Sequence, residues 1–182
     1  MNDFDEIHHY TSDQKIDWFG YGEWVEEADE VNFFHSRLKC KILRIVKPDG
    51  PDFMFGGHLC GYVRIPPESP LFGKDLHYHY DKKITLHVHG GITFADSVNF
   101  LHDLGFWIGF DCGHSYDLIP CMKNRNIIDP FLKQLQESLP IPEIYEDIAL
   151  FNPGYRNIAF CAEECKSLAD QVANFKIDEK ET

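Results

Sequence analysis

The spacing of apolar positions divides this chain into a strand-patterned part and a helix-patterned part. Residues 38–47 (LKCKILRIVK) interleave apolar side chains with Lys39, Lys41 and Arg44, which predicts a strand, and Pro48-Asp49-Gly50 supplies the turn that ends it. Residues 58–65 (HLCGYVRI) predict a second strand, stopped by Pro66 and Pro67, with loop over 66–75. Residues 83–89 (KITLHVH) alternate with a period of two: Ile84, Leu86 and Val88 fall on one face, Thr85, His87 and His89 on the other. Gly90-Gly91 interrupts that pattern, and Ile92-Thr93-Phe94 offers to resume it. The apolar run 105–112 (GFWIGFDC) predicts a buried strand.

The C-terminal third changes period. Asp129-Pro130 has the form of an N-cap followed by the first helical residue, for a helix reaching about residue 139 with Phe131, Leu132 and Leu135 as its buried stripe. Residues 140–154 hold three prolines and a Pro-Gly pair and read as loop. Over 155–175, Ile158, Cys161, Cys165, Leu168 and Val172 recur at three- and four-residue spacing, predicting a long helix with both cysteines in the core. The expectation is one α+β domain over 1–182: a mainly antiparallel twisted sheet packed against one long and one shorter C-terminal helix. Residues 1–22 read as an irregular N-terminal segment and 176–182 as a frayed tail.

Charge narrows the range of partners. Thirty acidic against 17 basic side chains give a formal charge of −13, which predicts no non-specific binding to nucleic acid or to an anionic membrane. Five carboxylates fall within residues 23–30, a run that reads as a solvated face or as a surface for a protein partner. No stretch approaches the roughly 18 apolar residues of a membrane helix. The N-terminus lacks a basic and apolar leader, and the six cysteines form no CxxC pair. Reduced thiols and a cytoplasmic location are therefore expected.

Two segments carry candidate chemistry. In His87-Val88-His89-Gly90-Gly91, an HxH pair on a strand puts two imidazoles about 7 Å apart on one side. Imidazole suits zinc and similar divalent ions, and the bare backbone of Gly90 and Gly91 would let an anion approach. His77-Tyr78-His79 repeats the spacing in a polar loop. The second segment, 111–117 (DCGHSYD), follows the buried strand directly, and Asp111, His114 and Asp117 are spaced three apart. With His89 they would form a mixed nitrogen and oxygen site with room for water, or a base with its orienting acid. A metal site, a ligand pocket without metal and purely structural histidines all remain open. Cys112 beside His114 has the composition of a nucleophile and base, but triad partners usually meet through space rather than along the chain, and a small buried cysteine at a strand end accounts for it better. Arg156, at the start of the last helix, stands against the helix dipole, which suggests pairing with Asp117 or gripping a carboxylate or phosphate. Arg64 and Lys74 offer further positive charge, and Trp107, Tyr116 and Thr93 offer pocket walls. No GxGxxG, GxxxxGKS/T, GxSxG or HExxH motif is present.

Five ordered motifs add a resemblance. They are Glu23-Trp24 in the acidic segment; Cys60-Gly61-Tyr62-Val63 with Pro70-Leu71-Phe72-Gly73-Lys74; Val88-His89-Gly90-Gly91-Ile92-Thr93-Phe94; Gly109-Phe110-Asp111-Cys112 with His114 and Asp117; and Tyr155-Arg156 with Glu164-Cys165. Over about residues 23–172 the chain resembles a family of short uncharacterised proteins of bacteria, phages and prophages. It departs from that pattern at Gly113, where alanine is usual, and in a short link between its third and fourth motifs. The resemblance implies that His89, Asp111, His114 and Asp117 belong together, that His87 stands outside the site, and that the protein is a phage or prophage accessory factor. The expected function is a hydrolase-like activity on a phosphate-bearing or polar small molecule, with Gly90, Gly91, Thr93, Trp107, Tyr116 and Arg156 around the ligand and a divalent metal such as zinc as the candidate cofactor. The alternative is a binding protein without turnover that sequesters a nucleotide signal or inhibits a host defence factor.

Overall fold

The computed structural model describes residues 4–46, 56–74, 76, 84–100, 103–123 and 154–176. The expected helix over 129–139, the loop over 140–153, the Pro-Asp-Gly turn, the His77/His79 pair and residues 177–182 lie outside the described residues. Six strands form one antiparallel sheet: β1 (Asp5–Ile7), β2 (Glu30–His35), β3 (Leu38–Arg44), β4 (Leu59–Ile65), β5 (Phe94–Phe100) and β6 (Asp103–Asp111), in the order β1-β2-β3-β4-β6-β5. Among the described residues two α-helices accompany it, α1 (Ser12–Phe19) and α2 (Ile158–Ala173), giving an α+β fold. Among the described residues no helix is long and apolar enough to cross a membrane.

The sheet has two apolar faces, and strand alternation sorts them. Val31 and Phe33 of β2, Cys40 and Ile42 of β3, Leu59 and Val63 of β4, and Phe106, Ile108 and Phe110 of β6 share a core with Cys161, Cys165, Leu168, Ala169 and Val172 of α2. The stripe expected on the last helix is therefore its buried face, and Cys161 and Cys165 are fully buried. The odd positions of β6 turn the other way, so Trp107 packs with Cys60 and Tyr62. The β2–β3 hairpin closes through Ser36 and Arg37 at φ 48° and 65°, between the paired residues His35 and Leu38. Two residues with positive φ match the twist of antiparallel strands.

The described part of the N-terminal segment, residues 4–22, is not irregular. β1 pairs with β2, and α1 begins at a capping box in which the Thr11 side chain accepts from Gln14 N at 3.2 Å and Gln14 Oε1 accepts from Thr11 N at 2.9 Å. The short eight-residue helix carries only a few apolar positions, so periodicity concealed it. The run 83–89 also departs from expectation. Ile84, Leu86 and Val88 do pack against the core, but residues 84–88 join no strand ladder, and the edge strand is 94–100 instead.

The acidic run 23–30 turns largely inward. Asp29 and Glu30 are 2% and 3% exposed. Asp29 Oδ1 meets Lys15 Nζ at 3.0 Å and Arg44 Nε at 2.9 Å, while Glu30 pairs with Lys41. Glu27 accepts from Arg44 Nη2 at 3.1 Å and from the Tyr155 hydroxyl at 2.6 Å. A solvated face does not describe these three carboxylates. They are the counter-ions that let Lys15, Lys41 and Arg44 be buried.

Candidate functional site

β6 ends at Asp111, and the chain then turns through residues 112–117. Asp111 Oδ1 accepts from Gly113 N at 2.9 Å, and Asp117 N donates back to His114 O at 2.9 Å. The tight turn brings His114 and Asp117 to one place. Asp117 is 3% exposed and is the hub of the cluster. Its carboxylate accepts from His114 N at 3.2 Å and from Arg156 Nε at 2.9 Å, and it lies 2.9 Å from His89 Nε2 and 3.2 Å from His114 Nδ1. Burial alone would raise the Asp117 pKa. The hydrogen bonds from His89 and Arg156, the His89 charge and the His114 N–H outweigh burial and hold the carboxyl below its usual range.

His89 enters from the segment before Gly90. Its backbone N–H donates to Glu164 Oε2 of α2 at 2.7 Å. Its ring is collared by three aromatic groups at steep angles, with centroids at 5.4 Å for His114, 5.5 Å for Tyr116 and 5.2 Å for Phe160. Tyr116 stacks flat on His114, 5° from parallel at 5.1 Å, yet is 44% exposed. Gly90 lets the chain pass this close. It stands at φ +67°, and a Cβ there would fall 2.0 Å from His114 Cε1. Asn157 caps α2 by accepting from Phe160 N at 3.0 Å, so Arg156 precedes the helix rather than sitting in its first turn. From there Arg156 lies over the Phe160 ring, 4.8 Å from its centroid.

His89, His114 and Asp117 each offer a ligand atom, all within 4.8 Å of one another, and this group could hold a metal ion. Ligand bonds of about 2.0–2.1 Å in tetrahedral geometry place neighbouring donors about 3.3 Å apart. The observed 2.9 and 3.2 Å from the histidine nitrogens to Asp117 Oδ2 are close to that spacing. Three protein ligands leave a fourth position open.

The other expected residues divide. Asp111 stands outside this group: its Oδ1 is 3.8 Å from His114 Nδ1, and its side chain is 32% exposed. His87 is exposed and meets α2 only through its backbone, so the HxH pair does not converge on one point. The N–H of Gly91 is used by Val88 O at 2.9 Å, which removes it as an anion donor. Thr93 is exposed, and its N–H donates to Gly109 O at 2.9 Å, extending the β5–β6 pairing. Trp107 is fully buried on the sheet face away from α2 and lines no part of the cluster. Arg64 belongs to the far end of the sheet, where Nη2 donates to Leu104 O at 2.8 Å. Cys112 is 2% exposed with its Sγ 3.6 Å from Cys161 Sγ. The Cys161 contact and burial push its thiol far up, which is the opposite of an activated nucleophile.

Sequence reading singled out neither Phe160 nor Gln171, and it named Glu164 only as part of the Glu164-Cys165 motif. A signal was there: 156, 160, 164 and 171 recur at four- and seven-residue spacing, a second stripe beside the apolar one. What the site does has to be read from these side chains, because the chain matches no protein-family model, no curated protein and no solved structure.

Proposed function

We propose that the protein is a hydrolase-like enzyme acting on a phosphate-bearing small molecule, with zinc or a similar divalent ion held by His89, His114 and Asp117. The carrying observation is the convergence of two imidazoles on one buried carboxylate at donor spacings that suit such an ion. An ion held by these three residues would supply Lewis-acid polarisation of a phosphoryl oxygen and would make bound water more acidic. The chain's own groups do the rest. Arg156 is held through Nε on Asp117 and lies over the Phe160 ring, and its terminal nitrogens, without a hydrogen-bond partner among the described residues, would grip the anionic part of the substrate. Asp111, partly exposed at the rim, takes up the proton released from water. Gly90 keeps the His114 ring free of side-chain crowding.

Metal content by mass spectrometry on untagged protein tests this. Near-stoichiometric metal in the wild type that is lost in His89→Ala and His114→Ala, with phosphoester turnover lost in parallel, supports the reading. Folded wild-type protein that takes up no added zinc refutes it.

One observation favours a second reading, a nucleotide-binding protein without turnover. Tyr116 is stacked on one side and open on the other, a platform for a planar base beside Arg156. That reading expects tighter binding of a nucleoside phosphate than of inorganic phosphate, with no product formed.

A further inference from the structure

We infer that Glu164 and Gln171 of α2 are positioning residues for His89, acting as the neighbouring strand that residues 84–89 lack. The metal arm of this inference rests on the metal-site reading above. The hydrogen-bond arm does not.

The segment 84–89 has strand patterning but, among the described residues, no strand beside it. Its apolar side chains Ile84, Leu86 and Val88 face the core, so its backbone polar groups need partners from elsewhere. α2 supplies them through side chains. The Gln171 amide makes both bonds of a strand pair with His87: His87 N donates to Oε1 at 2.7 Å, and Nε2 donates to His87 O at 2.7 Å. Two residues on, His89 N donates to Glu164 Oε2 at 2.7 Å. The two N–H groups on one edge of an extended segment lie about 6.6 Å apart. Two turns of helix, which separate 164 from 171, span about 10.5 Å. The long side chains of Glu and Gln take up the difference.

Neither residue touches the His89 ring, Asp117 or His114 through any bond described here. Together they fix where along the strap His89 stands. A slip of one residue there would send the His89 ring to the other face. The same helix carries Phe160 against the His89 ring and leads from Arg156 on Asp117. One face of α2 and Arg156, just ahead of its Asn157 cap, thus set three sides of the cluster.

The test uses full-length Glu164→Leu, Gln171→Leu and Glu164→Gln. Zinc affinity is read by competition with a chromogenic chelator, and amide hydrogen exchange is read residue by residue on metal-free protein. Releasing the backbone that places a ligating histidine should cost about tenfold in metal affinity, similar to changes just outside a metal's ligands. Both leucine variants are expected to show that loss. They are also expected to lose protection at the His87 and His89 amides while α2 amides 161–172 keep theirs. Glu164→Gln still accepts the His89 N–H through Oε1, so it should restore both readouts to about twofold of wild type.

Unchanged protection at 87 and 89 in the leucine variants overturns the inference. So does a Glu164→Gln variant as damaged as Glu164→Leu, since charge rather than the bond would then be at work. Uniform loss of protection through α2 also overturns it, because that would mark a merely structural role. If wild type binds no zinc, the metal-site reading fails, and the exchange data on the same variants decide the inference alone.

Discussion

Replacing Gly90 by alanine should damage the cluster more than it damages the fold, and Gly73→Ala provides the comparison. Gly73 and Gly90 have nearly the same backbone, φ +71° and +67°. A side chain in that left-handed region costs about 1–2 kcal/mol. At Gly73 a Cβ meets nothing within 4 Å, so Gly73→Ala should show that cost alone. At Gly90 the Cβ would stand 2.0 Å from His114 Cε1 and 2.2 Å from Nε2. Ordinary contact begins at 3.4 Å, so the imidazole must retreat by more than about 1 Å. Metal–ligand distances tolerate about 0.2 Å. The His114 donor is then out of reach unless residues 89–91 rebuild. Urea unfolding should place the two variants within about 1 kcal/mol of each other, since the His114 ring is only partly buried and moving it gives up little more than one hydrogen bond. Zinc titration should separate them, with Gly73→Ala binding as wild type and Gly90→Ala at least tenfold weaker, as for a displaced ligand. Equal zinc affinity in the two variants would refute the claim that Gly90 holds space for His114.

Other outcomes follow from buried charge and buried sulfur. The Asp117 and Glu30 carboxyls are held below their usual range in the folded protein, by His89 and Arg156 in one case and by Lys41 and Asn32 in the other, against the opposing effect of burial. A depressed folded pKa gives stability that is complete above the unfolded value of about 4 and is lost as pH falls through the folded value. Urea midpoints should therefore drop steeply below about pH 4, and Glu30→Gln should flatten that drop; a parallel curve would count against it. All six cysteines are buried and free, and burial pushes the Cys40 thiol up to about 12. A thiol reagent should label none in native protein and all six after denaturation. Arg156→Lys keeps the charge but cannot reproduce the Nε bond to Asp117 together with a fork toward phosphate. Phosphate should protect wild type from thermal unfolding and protect this variant at least severalfold less. Equal protection would remove Arg156 from the anion site.

β3 was legible because charged side chains interleave with its apolar ones, β4 and β6 because they are short apolar runs bounded by proline, glycine or polar residues, and α2 because its apolar stripe runs the length of the helix. β2 and the hairpin after it were not, because the left-handed pair is Ser36-Arg37 instead of the Asn-Gly or Asp-Gly that signals such a turn. Residues 83–89 misled for a physical reason. Alternation reports that one face is buried, not what lies at the edge, and here the edge is covered by helix side chains. The cluster was legible in its three members His89, His114 and Asp117, because a turn compresses a three-residue spacing. Asp111 fell short because it ends β6 one turn earlier. Trp107 was misplaced because the run GFWIGFDC is apolar at odd and even positions alike. Composition of that kind shows burial on both faces without showing which face looks toward α2.

The acidic run bears on the site in a way opposite to its composition. Glu27 Oε2 receives the Tyr155 hydroxyl, and Oε1 receives Ile158 N at 3.1 Å. Between those two anchors sits Arg156, whose Nε reaches Asp117. One carboxylate of the acidic segment therefore brackets the residue that completes the cluster. Arg44 shares the same Glu27 oxygen and is itself buried. Glu27→Ala would leave Arg44 with one fewer counter-ion and Tyr155 without its acceptor, a loss of about 2–4 kcal/mol. Charge reversal at Glu27 would be worse, facing Arg44 with a like charge. Loss of function in such variants would thus say nothing about a partner docking on an acidic face. Glu26 is the residue that can test docking, because it is exposed and, among the described residues, its carboxylate meets only Ser12 Oγ, at 3.3 Å. Glu26→Lys should leave stability within about 0.5 kcal/mol of wild type. If it also leaves metal binding and turnover intact while Glu27→Ala lowers all three, the acidic segment serves the site from within. If Glu26→Lys abolishes activity in a folded protein, a partner on that surface is required after all.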